Sequence, residues 1–261
     1  VTAPDPFPRP APRTSRTRLR VEILIVLALT LGQSALYSVL TLVRRLLDPR
    51  PLSEQSAQLN RPLDSAAVWD AVYRVLDVAF DLALVALVVY LLWEPGRNAL
   101  RRLGLDFSRA GRDALGGLAL VAVIGIPGLA LYAAGRAAGI TVSVVASPLD
   151  AAWWTIPLLV LSAVRAGLIE EVIVVGYLAD RLSRLGWGSW STIVSTSLLR
   201  GAYHAYQGFG AIVGNIAMGI VFGWCYRRWG RLMPLVIAHT AIDVIAFVGY
   251  PLAVMLWPGL F

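Results

Sequence analysis

The sequence predicts an all-α, polytopic membrane protein, and three features carry that prediction. Hydrophobic residues make up 57% of the 261 positions and charged residues only 15%, against about 25% charged in an average soluble domain. The apolar residues gather in runs of roughly 20, the length that crosses a bilayer as a helix. The basic residues are all arginine and lie mainly in short segments between those runs, the arrangement that orients helices in a membrane. The formal charge of +7 therefore does not read as a nucleic-acid surface, which needs a continuous basic face. The single cysteine, Cys225, cannot form an internal disulfide.

Residues 1–19 are rich in Pro and Arg and too poor in apolar residues to fold, so a solvated, disordered cytosolic tail is expected there. Residues 20–261 form the membrane domain. The first apolar run, 21–43, is too long for the core of a cleavable signal peptide. Spans are expected at 21–43, 69–93, 113–138, 152–179, 190–206, 209–226 and 232–249, seven in all. The segment 250–261 is too short to cross alone. Arginines at 9, 13, 16, 18 and 20, at 97–112, at 181 and 184, and at 227–231 mark alternate connections as cytosolic, with the N-terminus on that side. The connection 44–68 breaks the pattern, since it carries Arg44, Arg45, Arg50 and Arg61 on the expected outer side. Residues 94–112 mix apolar and charged positions, as an interfacial amphipathic piece would.

An ionised side chain at mid-bilayer costs about 2.5–3.5 kcal/mol, so each one needs a partner or a task. The expected spans hold Asp77, Asp81, Arg165, Glu170, Glu171, Arg200, His204, His239 and Asp243. Asp77 and Asp81 share one helix face, with Arg74 a turn earlier as a partner for Asp77; helix-end polarity and a proton path both fit them. Glu170 and Glu171 are adjacent, so on an α-helix they point about 100° apart. One can work in a cavity while the other is anchored to Arg165 or Arg200. Burial and a second carboxyl are the levers that bring carboxylate titration toward neutral pH, which suits a general base. His239 and Asp243 share a face, and His204 comes from another helix with Arg200 one turn before it. Glu, two His and Asp on three helices suit water activation with oxyanion stabilisation, and equally a zinc site at Glu170, His204, His239 and Asp243.

Glu170-Glu171 followed by VIVVGYL, then His204, then His239-x-x-x-Asp243 resembles the pattern EExxxR, FxxxH, HxxxN/D. That pattern marks the CAAX protease and bacteriocin-processing (CPBP) family of intramembrane proteases, related to type II CAAX prenyl endopeptidases and abortive-infection proteins. The resemblance covers about residues 150–250. It implies an intramembrane endopeptidase in which Glu170 and His204 hold the attacking water, His239 and Asp243 stabilise the oxyanion, and Glu171 is a supporting carboxylate. It also implies a peptide or protein substrate, lipid-modified or not, in contact with membrane lipid. No cofactor is expected, with zinc as the alternative.

Two positions depart from the pattern: Val175 stands at the arginine of EExxxR and Arg200 at the phenylalanine of FxxxH. Either Arg200 replaces the missing cation, with Glu171 as its counter-charge, or activity is lost and the fold persists as a membrane scaffold or immunity-type protein. A proton-coupled transporter using Asp77, Asp81 and Glu170 is a third reading, weakened because no internal repeat is visible. An ionised Asp243 cannot donate to an oxyanion, so it must be protonated or act through another group. Counted from Arg181 and Arg231, Glu170 and His239 lie roughly 16 and 12 Å from the cytosolic side. His204 counts deeper, near the far end of its span.

Overall fold

The computed structural model describes residues 15–257 except 146, 148, 150 and 151. Most of the expected tail lies outside the described residues, but helix α1 (Arg16–Leu29) begins four residues before the expected boundary. Ser15 caps it, its side-chain oxygen accepting from the Arg18 N–H at 3.2 Å. The expected first span is broken. α1 and α2 (Leu31–Leu46) meet at Thr30 with a 55° bend. The Thr30 hydroxyl donates to the Val26 carbonyl at 2.6 Å and its N–H bonds Leu27 rather than Val26, so the helical ladder is interrupted there.

Strand β1 (Ser56–Gln58) leads to α3 (Ala67–Leu91), the short α4 (Ala99–Arg102), α5 (Ala110–Ala137) and strand β2 (Ser143–Val145). α6 (Thr155–Glu170) runs without a break through a π-helical turn, Glu171–Tyr177, into α7 (Leu178–Arg184). Then come α8 (Ser189–Tyr203), α9 (Phe209–Trp229) and α10 (Met233–Val244), which continues through a second π turn, Ile245–Gly249, into α11 (Tyr250–Leu256). The C-terminal segment is therefore no separate piece. It prolongs α10, and Pro251, which has no N–H to give to the ladder, follows the π turn.

The fold is an all-α membrane bundle. Ala110–Ala137, Phe209–Trp229 and Met233–Leu256 are long and apolar enough to cross a membrane, and the bent pair α1–α2 is so when taken together, as a broken span or a re-entrant loop. α3 and α6–α7 are long helices too, but they carry the ionisable residues singled out above.

Side-chain contacts sort the connections to two ends. At the arginine-rich end, Arg181 bonds Glu22 at 2.7 Å and Asp180 at 2.6 Å, Arg102 joins Glu94 and Asp180, and Arg231 joins Asp106 and Asp113. The Ser108 hydroxyl and N–H, with Arg231, hold the Asp106 carboxyl down at a pKa of about 2. At the opposite end β1 pairs in parallel with β2 in the register Ser56 to Ser143, and Thr141 bridges Gly208. The arginines of 44–68 are partly absorbed by that loop: Arg50 pairs with Asp48 and Arg45 donates to the Ser56 carbonyl. The expected amphipathic piece shrinks to α4, whose Ala99 is buried together with Leu103.

Arg74 pairs with Asp70 at 2.7 Å, not with Asp77. Asp70 is an i,i+4 partner, and the carbonyls of Asn60 and Arg61 complete the guanidinium's bonding. Arg165 is likewise turned away from the glutamates and pairs with Asp81 on α3 at 3.1 Å.

Candidate active site

The continuous helix α6–α7 and α8 form an antiparallel hairpin that packs through α7 and the π turn, and Glu170 and His204 are equally far in sequence from its turn at Leu185–Ser189. α8 stops at Tyr203, about 22 Å up from its start, so His204 is a helix-terminal residue at the level of Glu170. The count from Arg181 undershoots Glu170, not His204: the chain turns at Leu185–Ser189, four residues later, which puts Glu170 about 22 Å up as well, while His204 stands at the far end of its helix as expected. Past His204 a 3₁₀ turn, Ala205–Gln207, and Gly208 at φ 94° reverse the chain into α9. A side chain would be strained in that conformation, and the added Cβ would meet the Ile140 carbonyl.

α10 packs on α6 and α5. Gly167 sets how closely: a Cβ there would lie 2.7 Å from Thr240 Oγ1 and 3.2 Å from the Val236 carbonyl oxygen. One turn on, the same approach brings His239 against both glutamates.

Glu171, at the start of the π turn, is fully buried (0% exposed). Its Oε1 accepts a bond from Arg200 Nη2 and lies 2.7 Å from His239 Nδ1. Arg200 is equally buried and stacks over Phe222 at 5.4 Å. Val175 is packed in the apolar core beside Val172 and Leu178, so the cation facing the glutamates comes from α8.

Glu170 Oε2 is the point of convergence. It accepts a bond from the Tyr203 hydroxyl at 2.6 Å, lies 3.7 Å from Arg200 Nη2, and stands 3.9 Å from both His204 Nε2 and His239 Nε2. Asp243 Oδ2 is 3.6 Å from His239 Nε2. Separations of 3.6–3.9 Å exceed a direct hydrogen bond, so these groups are near neighbours without a direct bond, and one small molecule such as water can face two of them at once from the side. The structure thus gathers Glu170, Glu171, Arg200, His204, His239 and Asp243 in one place, and adds Tyr203. Sequence reasoning passed over Tyr203, although it falls at i+3 from Arg200 and next to His204, on the face already marked.

A zinc ion would need donors about 2.0–2.2 Å from it and hence roughly 3.3 Å from one another. The histidine nitrogens are farther than that from Glu170 Oε2, which is already engaged by a hydroxyl and faces a guanidinium. Among the described residues no three His, Cys, Asp or Glu are placed to hold one metal ion. A cavity of about 210 Å³ lies toward the opposite end, lined by Asp70, Arg74, Trp154 and Leu158 among others. It contains none of the site residues.

Residues 152–245 match the family model described as type II CAAX prenyl endopeptidase Rce1-like. That segment holds all three motifs. No curated protein and no solved structure matches the chain.

Proposed function

We propose that the chain is an intramembrane endopeptidase that hydrolyses a peptide bond with a water activated by Glu170. The observation that carries this reading is the meeting of His204 Nε2 and His239 Nε2 at 3.9 Å from the same carboxylate oxygen, Glu170 Oε2. The family match over the same segment supports it.

In this mechanism the water is held beside the pair, facing both Glu170 Oε2 and His204 Nε2. Glu170 takes its proton as the oxygen attacks the carbonyl carbon, and returns that proton to the leaving amine. His239 gives its Nδ1 proton to the bond with Glu171, which orients the ring so that Nε2 faces the cavity. In its protonated form Nε2–H donates to the developing oxyanion. Asp243 acts indirectly, by holding and balancing His239, because a carboxylate is an acceptor only. Arg200 and Glu171 keep the site rigid from behind.

The arginine-rich end, with the start of α1, faces the cytosol in this reading, and the substrate is a peptide or protein segment reaching the site within the membrane. The transporter alternative loses ground because Asp81 is paired with Arg165. The test is peptide hydrolysis by the purified chain in lipid, compared with Glu170→Gln.

A further inference from the structure

We infer that Tyr203 is a positioning residue for the general base: its hydroxyl fixes the Glu170 carboxylate and follows its change of protonation. This inference rests on the endopeptidase reading of the site. Three observations carry it. The Tyr203 hydroxyl is 2.6 Å from Glu170 Oε2, within the range of charge-assisted O–H···O⁻ bonds. Tyr203 is buried at 6% exposure, so its bond to the glutamate is shielded from bulk water. Arg200, Tyr203 and His204 fall at i, i+3 and i+4, and all three point at the glutamate pair. One turn of α8 thus handles both carboxylates.

The consequence for the chemistry follows from what a phenol can do. A carboxylate on a helix can rotate about its last torsion, and a base that rotates away from the water is idle. Tyr203 occupies one lone pair of Oε2 and fixes that rotation, leaving the rest of the carboxylate to face His204 and His239. When Glu170 has taken the water's proton on the side facing the water, the Tyr203 hydroxyl can go on donating to the remaining lone pair of Oε2, now as a weaker, neutral bond. The bond therefore persists through the cycle, with no group moved and no net charge added. The Tyr203 and His204 rings also touch, tilted at 47° with centroids 4.9 Å apart, so the phenol steadies the imidazole that shares the water.

The experiment compares wild type, Glu170→Gln and Tyr203→Phe by steady-state cleavage and by infrared difference spectroscopy. The carboxylate stretching band lost in Glu170→Gln belongs to Glu170. In Tyr203→Phe that band should shift, and kcat should fall about 10–100-fold with KM within a factor of about two. A ring that only fills space is kept by phenylalanine and would leave the band in place. Replacing Tyr203 with 3,5-difluorotyrosine, which keeps ring and hydroxyl but donates more strongly, should move the band the opposite way. That variant also decides the matter if phenylalanine impairs folding. Wild-type cleavage with an unmoved band and unchanged kcat in Tyr203→Phe would overturn the inference alone. No cleavage by wild type would overturn the endopeptidase reading, and the inference with it.

Discussion

Arg200 on α8 reaches across the bundle to Glu171 on the π turn, and neither residue has any exposed surface. The arginine comes from the second motif segment and the glutamate from the first, so one buried ion pair ties the two together. Val175, four residues after Glu171, packs in the apolar core instead.

Breaking this pair from one side should leave an uncompensated buried charge, at a cost of about 3–5 kcal/mol. Arg200→Leu and Glu171→Leu should each destabilise the protein in detergent unfolding. The double variant should recover part of the loss, but not all, because His239 also loses its bond to Glu171. A coupling of about 1–3 kcal/mol is expected. Additive losses would show that the two charges stand independently.

Gly167 should be intolerant for a reason of distance. Its replacement by alanine would press Cβ against Thr240 Oγ1 and the Val236 carbonyl, pushing α6 from α10 and Glu170 from His239. A displacement of about 1 Å at a reacting group can cost on the order of 10²-fold in rate. Thr240→Ala should restore part of that activity in the double variant. Gly125→Ala on α5 is the matched control, since an added Cβ there meets nothing within 4 Å. Equal effects at both glycines would remove the packing argument.

Asp243→Asn separates the metal-free mechanism from a zinc one. In the metal-free site Asp243 acts only through His239, 3.6 Å away, and an amide of the same size keeps that contact while losing the charge balance. Activity should persist within about tenfold and be indifferent to chelators. A zinc enzyme behaves otherwise, because an amide is a poorer ligand than a carboxylate. Stoichiometric zinc in active protein, lost together with activity in the variant, would contradict the mechanism.

How much of this was legible beforehand follows from what hydropathy and spacing encode. Long apolar runs showed the helices, because a bilayer demands them. Charges inside those runs marked the residues that meet at the site, because each such charge needs a reason. Local spacing could not show where the chain turns between α7 and α8, and so set Glu170 too shallow relative to His204. It also could not foresee the break at Thr30, where a hydroxyl competes with the backbone ladder. Arg74 had acids at both i−4 and i+3, and only the loop carbonyls at 60 and 61 decide for Asp70. Tyr203 was hidden by ordinary appearance, since an aromatic residue in an apolar helix reads first as core.

In the proposed mechanism Glu170 takes the proton from the attacking water. The direct measurement is hydrolysis of a peptide library by purified protein in lipid vesicles, with wild type and Glu170→Gln assayed side by side and both shown to be folded by thermal unfolding. Glutamine keeps the shape of the side chain and cannot accept the proton. The account predicts cleavage by wild type and at least a 10²–10⁴-fold loss in the variant, with the unfolding midpoint little changed. Cleavage by Glu170→Gln at the wild-type rate would contradict it.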